Sequence, residues 1–187
     1  MLMENVRHLT KEELEAGLDT IRQSPTDEGA LDLIVRRPQS NERDVLEEGE
    51  LDLVDGLVGD TWKIRGSSRT TDGSSHPDMQ LNIMNSRVIA LVAQDKDRWQ
   101  LAGDQLFIDL DLSEENLPPG TQLALGSAVI EVSAQPHTGC AKFVARFGLD
   151  AMKFVNSTEQ KQLHLRGINA KVVQPGTIRV GDRAKKL

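Results

Sequence analysis

Apolar positions recur with a helical period at the start of the chain and with a strand period over most of the rest. Leu14, Leu18 and Ile21 lie at i, i+4 and i+7 behind Thr10 and Glu13, the spacing of a capping box, which predicts an amphipathic helix in the first 24 residues. Ser24-Pro25-Thr26-Asp27-Glu28-Gly29 stops it and reads as a linker. Leu31, Leu33 and Val35 then alternate with Asp32, Ile34 and Arg36 up to Pro38, a strand buried on one face. After a polar loop over residues 70–77 the apolar runs 81–84 and 88–93 read as strands, as does the alternation of Leu106, Ile108, Leu110 and Leu112 with Phe107, Asp109 and Asp111. Residues 122–125 and 128–134 continue the series. Residues 168–173 and 177–180 flank Gln174-Pro175-Gly176, the pattern of a hairpin.

Only residues 140–155 return to a helical period after residue 60. Cys140, Val144 and Phe147 share a face with Phe143 and end at Gly148, and a second short helix near Asp150 turns Ala151, Phe154 and Val155 inward. The expected fold is mainly β (α+β): a barrel or sandwich with a few short helices, preceded by an N-terminal helix. An arm and linker over residues 1–30 and a domain over 31–187 are the expected units.

Composition narrows the function classes. The 187 residues are 38% hydrophobic and 27% charged, the range of an ordinary globular protein long enough to bury a core. No apolar run approaches the roughly 20 residues of a membrane span, and one cysteine leaves no intrachain disulfide, so a cytoplasmic protein without a membrane role is expected. A net charge of −7 and 3% aromatics argue against a nucleic-acid partner. The charge is uneven, however. Residues 137–187 hold ten Lys/Arg against three Asp/Glu, while residues 1–136 hold twelve against twenty-six. The Glu47-Glu48-Gly49-Glu50 run reads as a solvated face.

The segment that can carry chemistry is Pro136-His137-Thr138-Gly139-Cys140-Ala141-Lys142. It leaves a strand and opens the helix of residues 140–147, so free N–H groups and the helix dipole favour a thiolate at Cys140. Lys142 and Arg146 add positive charge, and His137 adds more when protonated. Such a thiolate attacks an electrophile or binds a soft metal, whereas a lone Cys on an apolar stripe is more often a small buried hydrophobe. His137 and Cys140 make only half a zinc site. His164, between Leu163 and Leu165, reads as a core or strand-face histidine, His76 as a loop residue, and Asn169 as a strand residue facing water.

Residues 126–142, a strand followed by Pro136-x-x-x-Cys140, resemble the signature of the MOSC domain family, named for the C-terminal domain of molybdenum cofactor sulfurases. Gly56-Leu57-Val58-Gly59-Asp60, Gly103-Asp104-Gln105-Leu106, Leu123-Ala124-Leu125-Gly126, Arg166-Gly167-Ile168-Asn169-Ala170 and Gly181-Asp182 fit the family's further motifs in order, over about residues 31–182. The resemblance implies a β-barrel-like domain that binds the molybdenum cofactor, with Cys140 as molybdenum ligand or persulfide carrier. It implies sulfur or cofactor transfer, or a small oxidoreductase acting on N-hydroxylated compounds. Arg146 and Arg166, with Lys142 third, are then the candidates for the anionic cofactor, and His137 joins Cys140 as a catalytic candidate. The family often carries Pro-Arg-x-Pro-Cys; here His137 stands at the Arg and Gly139 at the second Pro, so His137 would grip an anion only when charged. Pyridoxal phosphate, which accompanies the desulfurase domain of the larger sulfurases, is not expected. A separate electron-donor or cofactor-donor protein is.

Two other classes remain open at this stage. One is a hydrolase or transferase in which His137 or His76 is the base for a Cys140 nucleophile. The other is a non-catalytic module whose Leu14, Leu18 and Ile21 face docks a partner protein or a second copy as a homodimer.

Overall fold

The computed structural model describes residues 6–187; the start of the expected first helix, residues 1–5, lies outside the described residues. The N-terminal pattern forms two short helices, α1 (Lys11–Ala16) and α2 (Leu18–Arg22). Thr10 Oγ1 accepts from the Glu13 N–H at 3.3 Å while the Glu13 carboxylate accepts from the Thr10 N–H at 2.8 Å, so the predicted capping box is present. The helix breaks at Gly17, where the Leu91 side chain fills the space a β-carbon would need. Leu14, Leu18 and Ile21 are buried against the chain's own body. The face expected to dock a partner is therefore already covered.

The remaining elements are β1 (Glu28–Arg36), β2 (Asp44–Leu46), β3 (Glu48–Asp52), β4 (Gly56–Leu57), α3 (Trp62–Arg65), β5 (Leu81–Asn85), α4 (Ser86–Ala93), β6 (Leu106–Ile108), β7 (Gln122–Leu125), β8 (Ala128–Val132), α5 (Ala141–Phe147), α6 (Leu149–Val155), β9 (Ile168–Gln174), β10 (Gly176–Arg179) and β11 (Arg183–Lys186). Seven strands close into a barrel in the order β1-β11-β7-β8-β9-β5-β6 and back to β1; β2 pairs outside on β1, and β10-β3-β4 form a separate small sheet. The mainly β barrel expected from the pattern is the observed architecture.

The differences have physical causes. Residues 88–93 lie in a helix, not a strand. β5 and β6 pair in parallel, which demands a crossover, and α4 with the following 3₁₀ turn (Lys96–Ala102) supplies it. Asn85 caps α4 through its side-chain oxygen at 2.7 Å from the Arg87 N–H, and Val88, Ile89, Val92 and Ala93 are buried at helical spacing. Residues 168–180 are not a hairpin: β9 pairs with β5 and β8, whereas β10 leaves for β3. β1 is not a simple alternation either. A register shift between Leu31 and Leu33 sends Leu31 and Ile34 into the barrel and Leu33 and Val35 to the outer face. Phe107 is likewise buried, in the outer layer rather than on a wet face.

Two apolar clusters result. The barrel interior is wholly aliphatic, from residues such as Leu31, Ile83, Leu106, Ile130 and Ile178. All four Phe and Trp99 lie outside it, where α1, α2, α4, α5 and α6 pack on the barrel. Few aromatics are needed because the seven strands leave a bore that Leu, Ile, Val and Ala side chains fill.

Candidate functional site

One end of the barrel's outer surface carries polar residues instead of that aromatic layer. Asn82 on β5 and Asn169 on β9 are cross-strand partners, and both are buried, Asn169 completely; it does not face water. Asn82 Nδ2 donates to Asn169 Oδ1 at 2.6 Å, and Asn169 Nδ2 reaches the carbonyls of Gln135 at 3.0 Å and Pro136 at 3.3 Å. Arg37, one residue beyond β1, clamps Asp60 with two parallel bonds of 2.8 and 2.7 Å and also donates to Asn82 Oδ1 and the Gly103 carbonyl, both at 3.0 Å. Gln105 bridges Asp60 and β5, donating to Asp60 Oδ2 at 3.2 Å and accepting from the Asn82 N–H at 2.7 Å. Burial raises the Asp60 carboxyl, but Arg37 and two backbone N–H groups outweigh it and hold it below the ordinary value.

A second buried carboxylate lies beside this network. Asp104 is fully buried and accepts from Arg166 Nη1 at 2.6 Å and from His137 Nε2 at 2.7 Å. Burial pushes the Asp104 carboxyl up, yet Arg166 and then His137 bring it below its usual range. A carboxylate only accepts, so His137 carries its proton on Nε2 and leaves Nδ1 as the free lone pair. Burial and the Arg166 charge, opposed by Asp104, depress the His137 pKa below 6.5. The imidazole is thus neutral near neutrality and serves Asp104; it is not the cationic anion grip expected at this position. Gly167 lets the ring sit there: φ is +125°, and a β-carbon would collide with the Ile83 carbonyl and press on the His137 ring. Arg166 Nη2 reaches the Ala102 carbonyl at 2.9 Å, its guanidinium lies 5.0 Å from the Phe143 ring centroid, and its Nε is buried without a partner.

Above this floor opens a cleft of about 520 Å³, bordered by the residue 39–43 loop, α3, the 61–67 segment, residues 76 and 79, and the start of α5. Cys140 is exposed at its wall. It is the N-cap residue of α5, in extended backbone with φ −131°, and its side chain makes no capping bond, so the sulfur is free to face the cleft. The cysteine is therefore not a buried hydrophobe, although Phe143 and Phe147 of the same helix are. His137, Lys142, Arg146 and Arg166, all singled out from sequence, border the same cleft.

The cleft is lined by Arg37, Arg43, Arg65, Lys142, Arg146 and Arg166, with no Asp or Glu among its lining residues. Of these, Arg37 and Arg166 are paired to the buried acids, whereas Arg43, Arg65, Lys142 and Arg146 have no carboxylate within ion-pair distance among the described residues. Among the described residues, Arg43 is tied only to the carbonyls of Gln100 and Glu42, and Arg146 to that of Leu101. Desolvation and then the charges of Arg146, Arg37 and Arg65 lower the Arg43 pKa; desolvation and Arg37 do the same at Arg65. These cations repel one another, which marks a place where an anion is favourable.

Arg37, Arg43, Arg65, Asp60 and Asp104 were not among the residues predicted from sequence. Three of the cleft's six cations come from the acidic first part of the chain, so the charge split along the sequence accounts for only half of its basic lining. The usable signals were local: Arg36-Arg37-Pro38 at a strand end, and the Asp of Gly-Leu-Val-Gly-Asp and of Gly-Asp-Gln-Leu.

His76 accepts from the Asp78 N–H through Nδ1 at 3.1 Å and makes no bond to the thiol. His164 ends a 3₁₀ turn in the left-handed region and donates from Nδ1 to the Leu112 carbonyl at 2.9 Å, so it is neither core nor strand. A second cavity, about 530 Å³, lies against the other side of residues 136–138; Leu117, Val132, Val155, Leu165 and Ile168 line it, and His137, Thr138 and Arg166 border both cavities. No cluster of three or more metal-ligating side chains occurs among the described residues. Nor is any helix there long and apolar enough to cross a membrane.

Solved structures share this fold. The YuaD protein from Bacillus subtilis aligns over 84% of this chain and 94% of its own with a TM-score of 0.57 at 14% identity. YiiM from Escherichia coli aligns over 84% and 69% with a TM-score of 0.52 at 19% identity. A structure described as a hypothetical protein aligns over 89% and 70% with a TM-score of 0.56 at 20% identity. No curated protein matches the chain significantly. The family model of the MOSC domain matches residues 70–185, which include β5 to β10, the Asp104 floor and the Cys140 segment. With more than half of its length matched, the chain belongs to the MOSC domain family.

Proposed function

We propose that the Cys140 cleft binds the molybdenum cofactor and that the protein uses it as a small cytoplasmic oxidoreductase acting on N-hydroxylated compounds, or in sulfur or cofactor transfer. The observation that carries this reading is an exposed thiol in the wall of a cleft four of whose six cations lack carboxylate partners among the described residues. The donor set fits the group. A thiolate is a soft ligand suited to molybdenum, and the guanidiniums match the cofactor's terminal phosphate. The cleft volume of about 520 Å³ falls in the range that takes a ligand of this size.

In this reading Cys140 holds the metal, while Arg43, Arg65, Arg146 and Lys142 hold the phosphate. Arg166 and Arg37 act from below, fixed by Asp104 and Asp60, and raise the potential of the floor without leaving it. When bound, the cofactor supplies a metal able to exchange electrons and oxygen or sulfur with a substrate. Neutral His137 donates its Nε2–H to the Asp104 carboxylate, so its role is to hold the cysteine segment on the floor. Reduction of an N-hydroxylated base to the base and water takes up two electrons and two protons. Those electrons come from a separate donor protein.

A Cys–His nucleophile is not favoured. His137 is bonded to Asp104 and His76 to the Asp78 N–H, and neither is hydrogen-bonded to Cys140. The test is viologen-driven reduction of an amidoxime by protein made in a cofactor-producing host. Turnover that Cys140→Ser abolishes supports the oxidoreductase reading, and its absence in the wild type refutes that reading.

A further inference from the structure

Cys140 is reached through a segment held almost entirely by side chains. The Ser133 N–H donates to the Asn169 carbonyl at 3.0 Å, and the next backbone–backbone bonds along the chain are those of Phe143 and Val144 to the Cys140 carbonyl. Between them, residues 134–139 form no backbone ladder. Asn169 holds the carbonyls of Gln135 and Pro136, and Asp104 holds His137. Among the described residues, Asn156 alone holds Gly139, the residue before the cysteine. Asn156 Oδ1 accepts from the Gly139 N–H at 2.8 Å, and Asn156 Nδ2 donates to the Gly139 carbonyl at 3.2 Å.

This is a reciprocal pair, the way one strand residue holds another, made by a side chain. Its base is firm. Asn156 is the C-cap of α6, its N–H donates to the Met152 carbonyl at 3.1 Å, and Phe154 and Val155 beside it are buried. Gly139 is suited to the pair on two counts. A β-carbon there would come within 3.3 Å of Asn156 Nδ2 and 3.4 Å of Val155 Cγ2, and a proline would have no N–H to donate.

We propose that Asn156 is the positioning residue of the site, fixing Gly139 and through it the extended backbone from which Cys140 presents its sulfur to the cationic cleft. The inference rests on the reading of Cys140 as the group that meets the ligand. Where the related motif has a rigid proline before the cysteine, this chain places a hydrogen-bonded clamp, and α6 becomes part of the site although none of its own residues touches the cleft.

The test needs no cofactor. Residue-resolved amide exchange is compared in wild type, Asn156→Ala and Asn156→Leu, and the single thiol is labelled with a nitroxide. In Asn156→Ala the Gly139 amide exchanges roughly three- to tenfold faster, the worth of about one net hydrogen bond, and the nitroxide spectrum narrows. Melting stays within a few degrees of wild type and the inner amides of α5 are unchanged. Asn156→Leu fills the same space with no donor or acceptor and stays as mobile as Asn156→Ala, whereas a space-filling role would restore Gly139 protection and the broad spectrum. Unchanged exchange and line shape in Asn156→Ala overturns the proposal, as does a Leu variant as protected as the wild type. Wild-type protein that fails to bind molybdenum refutes the cofactor reading and leaves these results standing.

Discussion

The floor and the rim of the cleft use the same residue type under opposite rules. On the floor, Arg37 and Arg166 are nearly sealed from water, and each guanidinium lies against a buried carboxylate at 2.7 and 2.6 Å. On the rim, Arg43, Arg65 and Arg146 bond only to carbonyls or to nothing among the described residues, and desolvation with neighbouring guanidiniums lowers the proton affinity of Arg43 and Arg65. A buried charge without a partner costs several kcal/mol, so each floor guanidinium needs its carboxylate for the fold to keep its stability. A half-exposed charge without a partner costs little and remains available to an incoming anion. The floor is therefore a stability element that sets the potential, and the rim is the binding element of the proposed function.

The largest effect expected from this division comes from the floor. Asp104→Ala strands Arg166 in the interior and costs about 3–5 kcal/mol, a fall in melting temperature of roughly 10 °C by calorimetry. Asp104→Asn keeps a neutral acceptor and costs less. A variant at Asp104 that melts like wild type would erase the distinction between floor and rim.

The pH dependence comes next. His137 has its folded-state pKa below 6.5, so the stability its neutral form contributes is complete above 6.5 and is lost as pH falls from there through the depressed value. Asp104 and Asp60 have folded-state values below 3.8, so their contribution is present above 3.8 and is lost on further acidification. Urea midpoints therefore decline in two stages below pH 6.5. His137→Gln, which can still donate to Asp104, removes the upper stage and keeps the lower. A midpoint that rises between pH 6.5 and 5 contradicts the neutral-imidazole assignment.

The smallest stability effects belong to the rim. Arg65→Gln is neutral or stabilises by no more than about 1 kcal/mol, because it relieves repulsion and breaks no bond to a described residue. Its effect falls on binding. Inorganic phosphate raises the melting temperature of wild type more than that of Arg65→Gln or an Arg65→Gln/Arg146→Gln double variant, and added salt erodes the difference. Equal phosphate responses would remove the rim as the anion site.

What the sequence discloses follows the same boundary between local and non-local information. The barrel, the capping box and α6 with Phe154 and Val155 inward rest on local periodicity, and they are legible. Residues 88–93 are β-branched and apolar enough to pass for a strand; only the parallel pairing of β5 with β6 makes a helix there, and pairing direction is invisible in a window of six residues. The bulge in β1 likewise hides which of Leu31 and Leu33 faces the bore. Cys140, His137, Lys142, Arg146 and Arg166 all border the cleft, as the motif spacing suggested. The other half of the cleft comes from residues 37–67, brought across by tertiary pairing and carrying no periodic signature. The neutral state of His137 depends on its burial and on Arg166, a residue distant in the chain, and neither is visible in the local sequence.

Molybdenum per chain, measured by mass spectrometry on protein made in a cofactor-producing host, tests the central claim most directly. The expected result is near-stoichiometric metal in the wild type, less in the Arg65→Gln/Arg146→Gln variant, and none in Cys140→Ser, whose far-UV circular dichroism matches that of the wild type. Metal retained in full after loss of the sulfur, or absent from the wild type, would contradict it.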